Sequence, residues 1–228
     1  MKGENKMAFV SSRARQAQFR IYGLFLLSDG KWTAEEELCL RNIAGQMELS
    51  CEEVEKTIQY CQGLPIKEGD NAELIIQIID EALGFPAPEK TFGCSASKED
   101  AAMTIAKGLL LKTSMIAGTI ANQINWHVDL QTEVIWTLIN LGYADAEYSE
   151  PEKKVVRHLV KVWNIKEEIV SEFVDTAETI LLLTKQIEWL KSVGLSYEET
   201  KKRLETVEQQ IQLMFDNIQA TISEADAV

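Results

Sequence analysis

The side chains best suited to chemistry in this sequence are carboxylates that cluster in two short segments. In order along the chain they are Asp29, Glu35, Glu36 and Glu37, then Asp145, Glu147, Glu150 and Glu152. Hard divalent cations such as calcium take carboxylate oxygens as ligands. The clusters therefore suggest a divalent-cation site, with Asp29, Glu36, Asp145, Glu147 and Glu152 as candidate ligands.

The same acids have a structural interpretation. Glu36 follows Thr33 by three residues, and Glu152 follows Ser149 in the same way. This is the spacing of a capping box, in which the hydroxyl accepts the N3 amide and the carboxylate accepts the amide of the cap residue. Three further pairs with this spacing are Ser50/Glu53, Ser97/Asp100 and Ser196/Glu199. Five helix starts are therefore predicted.

The clusters do not follow the EF-hand pattern. An EF-hand loop needs a bidentate Glu at its twelfth position. The twelfth residues counted from Asp29 and Asp145 are Leu40 and Val156. Aspartates at these positions can also stabilise a turn through their own backbone. Turn and cap architecture is favoured, and the cofactor stays open between none and a divalent metal such as calcium.

Other chemistry finds little support. The sequence has no phosphate-binding glycine loop and no HExxH motif, and its two histidines, His127 and His158, stand apart. We therefore predict a non-enzymatic protein without catalytic residues. The four cysteines (Cys39, Cys51, Cys61 and Cys94) are predicted to be buried reduced thiols. Four tryptophans, Trp126, Trp136, Trp163 and Trp189, are predicted to pack inside the fold.

The acidic segments belong to an internal repeat. Asp29 and Asp145 are 116 residues apart, and the same offset aligns the helices that follow them. Four apolar positions in each copy share the i, i+3, i+4, i+7 spacing of one helical face. They are Leu40, Ile43, Ala44 and Met47 in the first copy and Val156, Leu159, Val160 and Trp163 in the second. Pairing the two copies in one bundle is the expected arrangement.

The last third of the chain shows two long apolar seams with spacing of alternating three and four. The first is Ile169, Phe173, Thr176, Ile180, Leu183, Ile187 and Leu190, and the second is Leu204, Val207, Ile211, Met214 and Ile218. They predict an antiparallel helical hairpin with Gly194 as a left-handed cap between its helices. The alternative role of these seams is to form a homodimer.

Together these patterns predict an all-α, multi-helix bundle with an internal repeat of an acidic-turn/helix unit and a C-terminal antiparallel helical hairpin. Pro86 and Pro88 indicate a linker. The predicted organisation is an N-terminal half at 7–84, a linker at 85–98, a C-terminal half at 99–192, and a last helix at 193–228 that packs on or extends the bundle.

Charge limits the function classes. The formal net charge of −13 argues against nucleic-acid binding, which needs a basic surface. Residues 1–20 are locally basic, and a helix docked on the acidic body is favoured there over one that contacts a membrane surface. No signal peptide or membrane span is evident, so a cytoplasmic location is expected.

One resemblance adds a biological context. An apolar helix, an acidic turn, a Ser or Thr and then a Glu make up a pattern similar to that of the TerB-like (tellurite-resistance) family, which is related to the N-terminal domain of membrane-anchored J-domain co-chaperones. Here the matching residues are Ser28, Asp29, Gly30, Thr33 and Glu36, and Ala144, Asp145, Glu147, Ser149 and Glu152. Ala146 stands where the first turn has Gly30. The resemblance covers residues 15–60 and 130–180.

The resemblance implies an all-helical protein linked to stress and tellurite resistance, with acidic turns that have been suggested to bind metal. Two functions are expected from this and from the residues themselves. The first is a non-enzymatic helical interaction module that holds a protein partner in an exposed groove or on the C-terminal hairpin. The alternative is a divalent-cation-binding stress protein that uses the turns at Asp29 and Asp145.

Overall fold

The computed structural model describes residues 12–84, 127–194 and 196–225, and every regular element in these ranges is an α-helix. The chain divides into two compact units, Met1–Asn125 and Trp126–Val228. The first contains α1 (Ser12–Phe25), α2 (Ala34–Gln46), α3 (Cys51–Gln62) and α4 (Ala72–Leu83). The second contains α5 (Val128–Gly142), α6 (Glu150–Val162), α7 (Glu167–Ser192) and α8 (Tyr197–Ala225). The all-α prediction is confirmed.

In the first unit, α1 is the central helix and packs against α2, α3 and α4. Its side chains Phe19, Leu24 and Phe25 are fully buried. Leu40 and Ala44 bury the predicted face of α2. Burial of each large apolar side chain of this kind contributes on the order of 2 kcal/mol to the stability of the fold. Helix α1 therefore supplies much of the core of this unit.

In the second unit, α5 has the central position and packs against α6, α7 and α8. The Trp136 ring makes edge contacts with Phe173 of α7 and Phe215 of α8, at centroid distances of 5.3 and 6.2 Å. The Thr221 hydroxyl near the end of α8 donates to Glu172 near the start of α7 at 3.2 Å. These two helices are therefore antiparallel, and the predicted C-terminal hairpin is confirmed.

The internal repeat is visible in the backbone as well as in the sequence. Each helix that follows an acidic turn is closed by matching hydrogen bonds, and one residue after each has a left-handed backbone. The matching bonds are Met47 N to Ile43 O and Trp163 N to Leu159 O, both 2.9 Å, with Leu49 N to Ala44 O at 3.1 Å and Ile165 N to Val160 O at 3.0 Å. The left-handed residues are Glu48 (φ 55°) and Asn164 (φ 54°).

Three of the five predicted capping boxes are complete, those at Thr33, Ser50 and Ser149. At Ser196 the hydroxyl accepts the Glu199 amide at 3.4 Å, which is one half of a box. The pair Ser97/Asp100 lies outside the described residues, as do Cys94, Trp126 and the predicted linker at 85–98. The four predicted domain boundaries stay a prediction.

Three smaller predictions are wrong. Gly194 is not a left-handed cap, because α7 ends with Val193 in an extended conformation (ψ 123°). Cys51 is exposed at the first position of α3, whereas Cys61 is buried and Cys39 is half-buried. Trp189 is 55% exposed, although Trp136 is buried as expected. A helical position fixes the face of a side chain, but a neighbouring helix decides whether that face is covered.

Candidate functional site

Each acidic turn begins with an aspartate that holds its own backbone. Asp29 Oδ1 accepts a hydrogen bond from the Lys31 amide at 2.9 Å, and Asp145 Oδ1 accepts one from the Glu147 amide at 3.0 Å. This side-chain turn is a common role of Asp where the chain reverses. One oxygen of each carboxylate is therefore used in shaping the turn.

The two turns share a left-handed residue despite their different sequences. Gly30 has φ 77° and Ala146 has φ 68°. Their amides donate to equivalent carbonyls, those of Leu27 at 3.1 Å and Tyr143 at 3.0 Å. An alanine in this region carries a strain of about 1 kcal/mol that a glycine does not. The backbone conformation of the turn is thus retained in the second copy at an energetic cost.

Glu36 and Glu152 serve as helix caps. Glu36 Oε2 accepts from the Thr33 amide at 2.7 Å, and the Thr33 hydroxyl accepts the Glu36 amide at 3.1 Å. In the second copy Glu152 Oε2 accepts from the Ser149 amide at 2.7 Å. Both glutamates are buried, at 3% and 2% exposure. These hydrogen bonds satisfy amides that would otherwise be unpaired at a helix start.

The five residues predicted as metal ligands are divided between the two units, each in its own turn. Asp29 and Glu36 belong to the first unit, and Asp145, Glu147 and Glu152 to the second. Within residues 12–84, 127–194 and 196–225, no group of three or more His, Cys, Asp or Glu side chains is arranged to hold a metal ion. The cation site stays a prediction.

A loop from α3 to α4 covers the first turn. The backbone amide of Asn71 donates a hydrogen bond to Ser28 O at 2.7 Å. The side-chain Nδ2 of Asn71 donates to the carbonyls of Lys67 and Gly69, both at 2.7 Å. A Cβ added to Gly30 would lie 2.2 Å from Lys67 O. Glycine is therefore required at this position both by the backbone conformation and by the space that the loop leaves.

Tyrosines surround the second turn. The rings of Tyr143 and Tyr148 contact each other at a centroid distance of 5.1 Å, and a Cβ on Gly142 would lie 2.4 Å from Tyr148 Cδ2. The Tyr143 hydroxyl donates to Glu178 Oε1 of α7 at 2.7 Å. Burial raises the pKa of Tyr148. Ala146, by contrast with Gly30, is exposed to solvent.

A second candidate site lies on α7, in the hairpin that was expected to hold a partner, although its individual residues were not predicted from the sequence. The positions that come one residue before each member of the predicted α7 seam form a parallel row, which we call the outer stripe. It consists of Glu168, Glu172, Asp175, Thr179, Leu182, Gln186 and Trp189. Its spacing alternates four and three, which places these residues along one side of a helix. Leu182 and Trp189 are 65% and 55% exposed.

Neighbouring helices cover the outer stripe only in part, because Glu172 accepts a hydrogen bond from Thr221 of α8, whereas Leu182 and Trp189 stay largely exposed. Within the unit α7 packs on both α8 and α5. Phe173 of the predicted seam contacts the Trp136 ring of α5, and Glu178 accepts a hydrogen bond from Tyr143 at the end of α5. Because Tyr143 at the end of α5 lies beside Glu178, α7 continues from there to Ser192, roughly 20 Å past the end of α5. Leu182 and Trp189 both belong to this extension. This exposed apolar pair makes the extension of α7 a candidate interaction surface.

The first half of the outer stripe borders an open groove of about 500 Å³. Its walls include Glu168, Glu172 and Asp175 of α7 and Met214 of α8. All three carboxylate residues are exposed. The stripe thus changes from acidic near the start of α7 to apolar near its end. The signal for it in the sequence is limited to Leu182 and Trp189, two large apolar residues seven apart beside the predicted seam.

Comparisons with protein-family models, with curated proteins and with solved structures gave no match to this chain. Among the helices in the described ranges, none is both long enough and apolar enough to cross a membrane.

Proposed function

We propose that this chain is a non-enzymatic helical interaction module of a TerB-like, tellurite-resistance-associated stress response, and that it holds a protein partner on its C-terminal hairpin. The observation that carries the proposal is the exposed apolar pair Leu182 and Trp189, seven residues apart on one side of α7. Two large apolar side chains left in solvent lower solubility, whereas a partner that covers them gains on the order of 2 kcal/mol from each.

Both acidic turns have an architectural role in this proposal, and the second turn also helps to position the hairpin of its own unit. Their carboxylates shape the turns and cap α2 and α6, and Tyr143 joins the second turn to α7 through Glu178. The stress-related role comes from the TerB-like resemblance of the two turns. The cytoplasm is the compartment proposed for this activity.

The test is complementation under tellurite stress. A strain that lacks this chain would be given the wild-type protein, a Leu182→Glu/Trp189→Glu variant, or a Leu213→Glu variant. Leu213 is a matched control, because it is 62% exposed on the same hairpin but lies on α8 outside the outer stripe. We expect the wild type and the control to restore tellurite resistance and the double variant to fail.

Two results would contradict the proposal in different ways. Loss of the chain without any change in tellurite sensitivity would remove the stress-related role. Full rescue by the double variant, at a protein level equal to wild type, would remove the hairpin as the site of partner binding.

A further inference from the structure

We infer that the outer stripe binds an amphipathic helix of another protein that is cationic along one half and apolar along the other. This inference rests on the proposed function and specifies the partner's chemistry. The binding mode is a helix in a groove, in which side chains at spacings of three and four anchor the partner.

The apolar half supplies the binding energy. Leu182 and Trp189 project from the part of α7 that extends past α5, and Leu183 beside them is only half-buried. Within the unit α7 packs on both α5 and α8, and Leu182 and Trp189 still remain 65% and 55% exposed. A further helix that lies against this pair would cover both side chains. Trp is also the residue type most enriched among binding hot spots.

The acidic half determines the charge of the partner. Glu168, Glu172 and Asp175 border the groove, and within the described part of the chain none of the three lies within ion-pair distance of a lysine or arginine. A cationic side chain placed there would meet carboxylates, while its methylene stem would lie on Met214. Exposed ion pairs add little affinity, but they select between partners and set their orientation.

A second copy of this chain fits the outer stripe poorly in either orientation. In a parallel pair, Glu172 and Asp175 would face their own copies, and like charges repel. In an antiparallel pair, Glu172 would face Trp189, so that a carboxylate would be buried against an apolar ring. A partner with the opposite charge pattern avoids both costs, and this favours a different protein over self-association.

The test uses designed peptides and the full-length protein. The stripe from Glu168 to Trp189 is roughly 32 Å long, so a helical peptide of about 24 residues spans it. One peptide would carry Leu at seam positions in its first half and Lys in its second half, and another would have the halves exchanged. A second pair would carry Glu in place of Lys. Fluorescence anisotropy in low salt would measure the dissociation constants.

We expect one of the two Lys peptides to bind with a micromolar dissociation constant and the Glu peptides to bind at least about tenfold more weakly. Leu182→Glu/Trp189→Glu should weaken binding at least about tenfold, and Leu213→Glu should leave it unchanged. Glu172→Lys/Asp175→Lys should reverse the preference, so that the Glu peptide binds better than the Lys peptide. These substitutions are all at exposed positions, so that the variants can be compared as folded proteins.

Several outcomes would overturn the inference. They are equal binding of Lys and Glu peptides, binding that the Leu182→Glu/Trp189→Glu variant retains, and no binding of either Lys peptide. Sedimentation that shows a dimer, dissociated by the same double variant, would assign the stripe to a second copy instead. If the peptides fail while complementation still requires Leu182 and Trp189, then the partner class is wrong and the proposed function stands.

Discussion

The two copies of the repeat, with turns at Asp29 and Asp145, have the same structure through the end of the helix that follows each turn. They differ in the next helix, which is α3 in the first copy and α7 in the second. In the first copy, α3 starts with a capping box at Ser50 and has 12 residues, after which the loop to α4 returns to cover the turn. In the second copy, α7 has no side-chain cap and continues for 26 residues. In the first copy a loop therefore covers the turn, whereas in the second copy a long helix extends beyond the turn.

This difference indicates where function lies in the molecule. Both copies retain the aspartate turn, the left-handed residue and the buried capping glutamate. The architecture that the two copies share explains these features. Among the described residues, the exposed apolar pair Leu182 and Trp189 lies in the second copy, on a helix of 26 residues whose counterpart α3 has 12. Partner binding is therefore proposed there and not at the turns.

The largest expected effect comes from exchanging the left-handed residues of the two turns. Gly30→Ala should destabilise the first unit by about 3 kcal/mol or more, because it combines backbone strain with a contact to Lys67 O. Ala146→Gly should change stability by less than about 1 kcal/mol, since the strain it relieves is offset by greater freedom of the unfolded chain. Urea denaturation would measure both. Equal effects at the two positions would contradict the view that the loop closes only the first turn.

The next largest effect separates caps from metal ligands. Glu36→Ala and Glu152→Ala should each cost about 2 kcal/mol, because the amides of Thr33 and Ser149 lose their acceptor. Glu36→Gln and Glu152→Gln should cost less than about 1 kcal/mol, since an amide oxygen can still accept. Urea denaturation of each variant would give the free energies of unfolding.

Calorimetric titration of the chelator-treated protein with calcium, zinc and manganese completes that comparison. We expect no saturable binding, and no difference between the wild type and an Asp29→Asn/Asp145→Asn variant. Micromolar binding that is lost in this variant and in the two Glu→Gln variants would instead establish the cation-binding alternative.

Much of the frame was predictable because it depends on local patterns. Capping boxes at Thr33, Ser50 and Ser149 are set by residues three apart, and the hairpin seams by periodicity, so both were found in the sequence. The burial of Trp189 was predicted wrongly, because the helical pattern does not show that α5 ends beside Glu178. The outer stripe was missed for the same reason. Coverage of a helix face depends on the lengths of its neighbours, which are tertiary facts.

A smaller effect is expected from the loop that covers the first turn. Asn71→Ala removes three side-chain hydrogen bonds, two to the carbonyls of Lys67 and Gly69 and one from the Lys67 amide, and should cost about 1–2 kcal/mol. The backbone amide at position 71 can still donate to Ser28 O, so the turn should loosen without unfolding. Hydrogen exchange should become faster at the amides of Gly30 and Lys31, and should stay unchanged at their counterparts Ala146 and Glu147. Faster exchange at both turns would contradict the assignment of this loop to the first copy.

The smallest effect tests how the second turn is joined to the long helix. Tyr143→Phe removes the hydroxyl that donates to Glu178 and keeps the ring against Tyr148. Because this contact is exposed, we expect a loss of about 1 kcal/mol or less in the free energy of unfolding. The corresponding residue of the first turn is Leu27, which is buried and has no hydroxyl, so this connection is specific to the second copy.

If the second turn positions α7 for binding, Tyr143→Phe should weaken peptide binding slightly, by less than the Leu182→Glu/Trp189→Glu variant does. A loss of binding as large as that of the double variant would show that the second turn itself contacts the partner.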